Sequence, residues 1–322
     1  MVAITPVPVS GYVVHAGFLG DTPVFADGTG RLARGTAGEA VAVHAGAVLT
    51  AAEALDGKAL VTGGDDGRLM RTKATGEPEL LAERPRKWLD QVACGPNGTV
   101  AFASGRTVWV LDGKAQHELT RPRAVGGLAF FPKGLRLAIS GYNGVGLWFP
   151  GTAGAVQELE WKGAHLAVTL SPDGRNVVTA MQEPSLHGWR IADGQHMRMS
   201  GYPTKVRSMS WSVKGRYLLT AGASASVGWP FHFKDGPMGK QPLELGARQE
   251  LVTRVACHPK EEIVALGYSD GMILLVRFSD GEEVLLRRPD DGPVSALGWS
   301  PSGLELAFGT EAGTAGVVDL SA

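Results

Sequence analysis

The stretch LSPDGRNVVTA (170–180) decides the fold of this chain. It ends one apolar segment at Leu170, continues through the turn residues SPDG (171–174) and starts a second apolar segment at Val177. Proline followed by aspartate and glycine favours a tight turn, because proline fixes φ and glycine accepts positive φ. The stretch therefore predicts two short strands joined by a turn.

The same pattern of apolar segment, turn and apolar segment recurs along the chain. The copies are CGPNGTVAFAS (94–104), FFPKGLRLAIS (130–140), WSVKGRYLLTA (211–221), CHPKEEIVALG (257–267) and WSPSGLELAFG (299–309). Apolar residues alternate before each turn, as a strand with one buried face requires. Glycine-containing hairpins such as Asn143-Gly144 then lead into a third strand, and a further turn leads into a short fourth strand. The repeat predicts four-stranded antiparallel units of about 40 residues each.

These turns, together with third strands that end near a tryptophan, resemble the repeats of WD40-type β-propellers. The tryptophans are Trp109, Trp148, Trp189 and Trp229. The resemblance covers the whole chain and is strongest from 88 to 320. The Gly-His and Trp-Asp dipeptides of the family are absent, so its Asp-His-Ser/Thr-Trp hydrogen-bond network is not carried over. We expect these units to depend more on apolar packing.

The resemblance implies an all-β fold, a single WD40-like β-propeller domain over residues 1–322. Eight blades are favoured, with units that start near 12, 47, 88, 124, 164, 204, 250 and 293. A seven-bladed ring with residues 1–45 packed irregularly is the alternative. The last unit ends in GTAGVVDLSA (313–322), after three strands. We expect residues 4–9 to supply its outer strand, where prolines are tolerated.

Composition narrows the possible functions. The net charge of −1 and the pI of about 6.7 argue against nucleic-acid binding. Cys94 and Cys257 occupy the same repeat position in different units, so we interpret them as small buried apolar side chains without a disulfide. The N-terminal segment has no signal-peptide pattern, and no apolar run is long enough to span a membrane. We expect a cytoplasmic monomer that binds neither membrane nor nucleic acid.

The sequence contains no recognisable catalytic motif. His-Glu-x-x-His, Cys-x-x-Cys and Gly-x-Ser-x-Gly are absent. We interpret GDDG (64–67) as a hairpin turn, because it falls at the hairpin position of its unit, and His165 as a structural histidine in an otherwise apolar column. We therefore expect no enzyme activity, no metal site and no cofactor.

One group of loops has a distinctive charge. In a propeller, the loops that lead from each fourth strand to the next first strand open around the mouth of the central channel. Here these loops (83–90, 120–126, 161–165, 201–207, 246–254 and 287–293) form what we call the basic face. They carry twelve basic and five acidic residues, a surplus of +7, together with three aromatic residues. The candidate partner-binding residues are Arg84, Arg86, Lys87, Trp88, Arg121, Arg123, Trp161, Tyr202, Lys205, Arg207, Arg254, Arg287 and Arg288.

Arginine forks suit carboxylate and phosphate groups, and aromatic anchors concentrate binding energy. We therefore predict a non-catalytic protein–protein interaction scaffold that presents the basic face to an acidic or phosphorylated peptide. The alternative is a propeller that binds a small molecule, an anion or a metal at the channel mouth, with or without enzyme activity. Acidic residues on neighbouring hairpins oppose the basic charge. They are Asp65, Asp66, Glu183, Asp270 and Glu311.

Overall fold

Thirty strands and one short 3₁₀ helix make up the regular structure of residues 3–321, which the computed structural model describes. The strands are β1 (Ala3–Pro6), β2 (Val13–Leu19), β3 (Thr22–Asp27), β4 (Arg31–Arg34), β5 (Glu39–Ala42), β6 (Val48–Glu53), β7 (Ala59–Gly64), β8 (Arg68–Lys73), β9 (Glu79–Glu83), β10 (Gln91–Cys94), β11 (Val100–Ser104), β12 (Thr107–Asp112), β13 (Ala115–Thr120), β14 (Val125–Phe130), β15 (Leu137–Trp148), β16 (Gln157–Leu170), β17 (Asn176–Met181), β18 (Ser185–Arg190), β19 (His196–Ser200), β20 (Met209–Trp211), β21 (Tyr217–Thr220), β22 (Ser226–Pro230), β23 (Leu243–Leu245), β24 (Val252–Cys257), β25 (Ile263–Tyr268), β26 (Ile273–Arg277), β27 (Glu283–Arg287), β28 (Val294–Trp299), β29 (Glu305–Thr310) and β30 (Ala315–Asp319). The 3₁₀ helix is Pro96–Gly98. No helix in the described range is long and apolar enough to cross a membrane.

Consecutive strands pair antiparallel into meanders, as the repeats predicted. Six sheets have four strands each: β2–β5, β6–β9, β10–β13, β20–β23, β24–β27 and the sheet ordered β1-β30-β29-β28. One sheet has six strands, β14–β19. The first strands of neighbouring sheets contact one another along most of the ring, and β28 of the last sheet contacts β2 of the first. Between the six-stranded sheet and the next, Trp211 Nε1 of β20 donates to Thr169 Oγ1 of β16, so the ring is closed. The prediction of an all-β, single β-propeller is confirmed.

The described residues form seven hydrogen-bonded sheets. The favoured count of eight blades is therefore wrong, and the alternative count of seven is correct. The units expected from near 124 and near 164 lie together in the six-stranded sheet, because β16 continues without a break across both. Its residues 157–164 pair with β15, and its residues 165–170 pair with β17. That alternative also expected residues 1–45 to pack irregularly, which is wrong, since most of them form the regular sheet β2–β5.

The sheets bury apolar residues on both faces, because each sheet packs between two others. In β25, Val264 packs with Leu219 of the preceding sheet. Its neighbour Ala265 points the other way and packs with Leu306 of the following sheet. Successive side chains of a strand point to opposite faces. The paired apolar residues of each second strand therefore hold the ring together between its sheets.

The two ends of the described chain meet in one sheet. Strand β1 pairs antiparallel with β30, with Ala3 opposite Asp319 and Pro6 opposite Gly316. Beyond the strand, the Val7 amide donates to the Ala315 carbonyl at 2.9 Å, and the Val7 side chain is buried. The regular pairing thus ends at Pro6, three residues before the end of the expected segment 4–9.

The expectation of mainly apolar packing needs correction in the sheet β6–β9. His44 Nδ1 lies 3.0 Å from Asp66 Oδ1, and its Nε2 lies 2.8 Å from Thr62 Oγ1. Burial lowers the pKa of His44. Burial alone would raise the pKa of Asp66, but hydrogen bonds from the Arg68 amide and from His44 outweigh it and lower that pKa. Three members of the family's four-residue network are therefore present without the tryptophan.

Related buried polar contacts occur in two further units. His165 Nδ1 lies 2.7 Å from Thr179 Oγ1, which explains the histidine in an apolar column. Tyr202 replaces histidine in the other unit: its hydroxyl lies 2.6 Å from Thr220 Oγ1 and accepts a hydrogen bond of 2.6 Å from Trp229 Nε1. Buried polar groups are costly unless they are paired. These contacts therefore fix side-chain positions in sheets that apolar packing alone would specify less well.

Candidate partner-binding face

The loops of the basic face connect outer strands to the inner strands around the channel. Loop 83–90 illustrates how its sequence exposes cations. The Lys87 amide donates to the Arg84 carbonyl at 3.1 Å, with Pro85 and Arg86 at the two central positions of the turn. Arg86 has a φ of 62°, in the left-handed region that usually requires glycine. The turn holds the exposed Arg86 side chain at its tip.

A cavity of about 540 Å³, which we call the mouth cavity, opens on this face where four successive units meet. It brings together three of the candidate residues, Lys205, Arg207 and Arg254. The complete lining is Gln182, Pro184, Thr204, Lys205, Arg207, Ala221, Gly222, Leu251, Val252, Thr253, Arg254, Pro293 and Glu311. The lining combines apolar side chains and prolines with three cations, and Glu311 is its only carboxylate.

The three cations of the mouth cavity differ in the contacts that they make within the protein. Arg254 is fixed, because its Nε donates to the Ser295 carbonyl at 2.6 Å and its Nη1 to the Thr253 carbonyl at 2.9 Å. Burial lowers the pKa of Arg254, although Tyr12 and Glu311 favour the charged form. Lys205 and Arg207 form no ion pair within residues 3–321. Their cationic ends are therefore available to an incoming anion.

Three other candidate arginines already make contacts within the protein. The Arg84 guanidinium lies 4.8 Å from the centre of the Trp109 ring. Arg121 makes two hydrogen bonds to the Glu158 carboxylate, at 2.7 and 2.8 Å. Arg287 is only 7% exposed and donates to the Gly271 carbonyl at 2.6 Å. A side chain already paired in this way offers less to a partner, so these three are structural residues.

The three aromatic candidates also differ in exposure. Trp161 is half-buried and stacks on His187 with ring centres 4.1 Å apart. Tyr202 is 8% exposed and hydrogen-bonded at its hydroxyl, and burial raises its pKa to about 12. Trp88 is 67% exposed. Only Trp88 is placed to anchor a partner, and loop 161–165 is part of the continuous strand β16.

The remaining exposed candidates lie at three places on the basic face. Arg86, Lys87 and Trp88 line an open hollow together with Arg106 of the neighbouring hairpin. The Arg123 guanidinium lies 5.9 Å from the centre of the Tyr142 ring. Arg288 is exposed beside the buried Arg287. The sequence reasoning missed Arg106 and Tyr142, because it considered the neighbouring hairpins of this face only for their acidic residues.

The structure tests several other expectations about reactive groups. Burial raises the pKa of Cys94 and Cys257 to about 12, and both thiols are free. Asp65 and Asp66 accept hydrogen bonds from the amides of Ala47 and Ala45, at 2.8 and 3.0 Å, which fits their interpretation as turn residues. In residues 3–321, no group of three or more His, Cys, Asp or Glu side chains is arranged to hold a metal ion.

Comparisons with known proteins agree with this architecture. A family model described as the WD40 domain of anaphase-promoting complex subunit 4 matches residues 255–322. Autophagy-related protein 16 of Arabidopsis thaliana is 27% identical over 146 residues, which are 44% of this chain and 28% of that protein. The serine-threonine kinase receptor-associated protein of Dictyostelium discoideum is 25% identical over 126 residues, which are 39% of this chain and 41% of that protein. The chain thus spans less than half the length of these relatives.

A solved structure supports the fold over nearly the whole chain. The computationally designed Ika8 protein superposes with a TM-score of 0.79 and covers 97% of both chains. Its sequence is 19% identical, so the likeness concerns the fold alone. Together with the family model and the two relatives, it supports the resemblance to WD40-type β-propellers that the turn motifs indicated, and that prediction is confirmed.

Proposed function

We propose that this WD40-like β-propeller is a non-catalytic interaction scaffold whose basic face binds an acidic or phosphorylated peptide. The observation that carries the proposal is the mouth cavity of about 540 Å³. Its two unpaired cations, Lys205 and Arg207, lie beside the apolar surface of Leu251 and Val252. One relative is named for its association with a serine-threonine kinase receptor, which fits a scaffold role.

The chemistry of the cavity favours a peptide with spaced negative charges. A guanidinium such as that of Arg207 binds carboxylate or phosphate through two parallel hydrogen bonds. The apolar wall suits the uncharged residues between the charges. Glu311 repels an anion that comes too close to its side of the cavity. The occupant would therefore place its charge towards Lys205 and Arg207 and away from Glu311.

The exposed group around Trp88 extends the proposed surface. Arg86 and Lys87 are fully available, and Arg123 lies on the next loop of the same face. Aromatic residues with a large exposed surface often contribute most of the energy of a protein interface. A peptide that reaches from the mouth cavity to Trp88 would contact both groups of cations.

Charge reversal tests this proposal. The variant Arg86→Glu/Arg123→Glu/Arg207→Glu should weaken binding of acidic and phosphorylated peptides at least about tenfold, which corresponds to about 1.4 kcal/mol. The thermal midpoint should stay nearly unchanged, because all three side chains are exposed. Peptide arrays and fluorescence anisotropy with the purified chain measure the effect.

The matched control reverses the same number of charges on the opposite face, in the variant Lys133→Glu/Arg175→Glu/Lys214→Glu. These residues lie in turns of the type that first revealed the repeat, and all are exposed. The control should bind the peptides like the unaltered protein. Equal loss in both variants would show that only net charge matters, and retained binding in the first variant would refute the assignment of the face.

The same binding measurement also tests the alternative occupant, a small anionic molecule. The cavity volume falls within the range of about 300–1,000 Å³ that small-molecule sites have. In the anisotropy measurement, free phosphoserine is added as a competitor of the peptide. If it binds as tightly as the phosphorylated peptide, the site recognises a small anion and the scaffold proposal fails.

A further inference from the structure

We propose that a second binding site, on the face opposite the basic loops, accepts a small organic anion. The site is a cleft of about 610 Å³ between the sheets β6–β9 and β10–β13. It lies between the turn that joins β6 to β7 and the turn that joins β10 to β11. It shares no residue with the mouth cavity and does not depend on the proposed function.

Space is left beside one turn glycine that lines the cleft. At two other boundaries between units, the turn glycine lies against the turn proline of the unit before it: a Cβ atom on Gly174 would lie 3.3 Å from Pro132, and one on Gly215 would lie 3.2 Å from Pro172. At the equivalent Gly98, as at Gly134, nothing lies within 4 Å of such a Cβ. Gly98 lines the cleft, so no neighbouring turn fills the space beside it.

The turn on the other side of the cleft contributes apolar surface. Leu55 occupies the position at which most other units have the turn proline. Leu55 lines the cleft, and its side chain is 68% exposed. An incoming ligand would therefore meet an exposed leucine side chain at the edge of the cleft.

The charges of the cleft favour an anion. Its lining contains three cations, Lys58, Arg71 and Lys73, and one carboxylate, Asp56. Arg71 Nη1 lies 3.5 Å from the Glu79 carboxylate. Lys58 and Lys73 are exposed and form no ion pair within residues 3–321. Two ammonium groups are therefore free to meet one negative group at the rim.

The floor of the cleft favours an apolar body on the same ligand. Ala59, Val61 and Val100 line the cleft and are buried, so their side chains form its base. Cys94 also lines it, but burial raises the pKa of its thiol to about 12, so the thiol stays neutral at physiological pH. A neutral thiol is a poor nucleophile. The cleft therefore suits binding of an amphiphilic anion without covalent chemistry.

The experiment is calorimetric titration of the full chain with phenyl phosphate, phenylacetate and inorganic phosphate. At least one of the two aromatic anions should bind, and the tighter of them identifies the preferred anionic group. Inorganic phosphate should bind at least about tenfold more weakly, because it lacks the ring that covers the apolar floor. Absence of binding by both aromatic anions, or equal binding of inorganic phosphate, would overturn the proposal.

Variants locate the site. Lys58→Gln/Lys73→Gln should weaken the better aromatic anion at least about tenfold, since each charge-assisted contact is worth more than a neutral one. Lys205→Gln/Arg207→Gln, in the mouth cavity, should leave this binding unchanged, which separates the two sites. Both pairs are surface residues, and thermal midpoints confirm that the variants fold. Loss in the second variant instead of the first would assign the binding to the mouth cavity and refute the cleft.

Discussion

Two adjacent arginines, the last residue of β27 and the residue that follows it, should differ sharply in their effect on stability. Arg287→Met should lower the free energy of unfolding by about 2–4 kcal/mol, whereas Arg288→Met should change it by less than about 0.5 kcal/mol. Sequence alone gives the two residues the same role. In the structure, Arg287 is 7% exposed and Arg288 is exposed. The comparison therefore tests the distinction between structural and available cations on the basic face.

The magnitude follows from the contacts of Arg287. Its Nη1 donates to the buried Gly271 carbonyl at 2.6 Å, and a charge-assisted bond of this kind contributes about 1.5–3 kcal/mol. Its Nη2 donates to Asp290 at 3.0 Å and to Asp291 at 2.9 Å. These carboxylates are 67% and 30% exposed, so each pair adds only about 0–1 kcal/mol. Methionine keeps most of the apolar contact with Phe308 and removes only the charge and the donors.

The measurement is urea unfolding of the two variants, followed by tryptophan fluorescence, at several pH values. Burial alone would raise the pKa of Asp291, but hydrogen bonds from Thr314 and Arg287 outweigh it and lower the pKa below its ordinary value of 3.8. A carboxylate with a lowered folded pKa stabilises the protein above pH 3.8 and loses this effect as the pH falls further. The difference in the free energy of unfolding between the unaltered protein and Arg287→Met should therefore be largest near neutral pH and become smaller in acid. Equal stability of the two variants at pH 7 would refute the structural role of Arg287.

Two further predictions concern buried polar groups. Thr62→Val should lower the free energy of unfolding by about 1–3 kcal/mol, because the buried Nε2 of His44 loses its partner; a loss below about 0.5 kcal/mol in urea unfolding would contradict this. His187 is buried, and neither of its ring nitrogens has a hydrogen-bond partner among residues 3–321; burial lowers its pKa to about 3. The unfolded chain therefore binds a proton below the ordinary value of 6.5 that the folded chain does not, so stability falls with acid from pH 6.5 towards 3. His187→Phe keeps a ring against Trp161 and should raise the thermal midpoint more at pH 5 than at pH 7, whereas an equal change at both values would contradict the assignment.

Local sequence predicted the strand and turn pattern well. The second strand after SPDG was expected over 177–180, and the structure has β17 over Asn176–Met181. Turn glycines and prolines act through φ alone, and period-two alternation needs only one buried face, so both signals are local. The number of separate sheets could not be predicted from the sequence, because the continuity of β16 depends on its pairing with two different strands, β15 and β17.

The polar networks had a sequence signal that was not used. Thr62, Thr179 and Thr220 occupy the same position of the repeat, in second strands that are otherwise apolar there. A buried hydroxyl recurring at one position requires a recurring partner. That partner is His44 in one unit, His165 in another and Tyr202 in the third, at different distances along the sequence. The threonine column indicates a network, but only the fold identifies its partner.

The sequence by itself determined the architecture of the repeats and the surplus of cations in one set of loops. Only the tertiary structure decided which cations are free. Long side chains can reach partners that lie far away in sequence: Arg121 meets Glu158 across 37 positions, and Arg254 meets the Ser295 carbonyl across 41. Lys205 and Arg207 meet no such partner in the described residues. The stretch LSPDGRNVVTA could reveal the fold because its turn is a local property, whereas availability for binding depends on contacts between sheets.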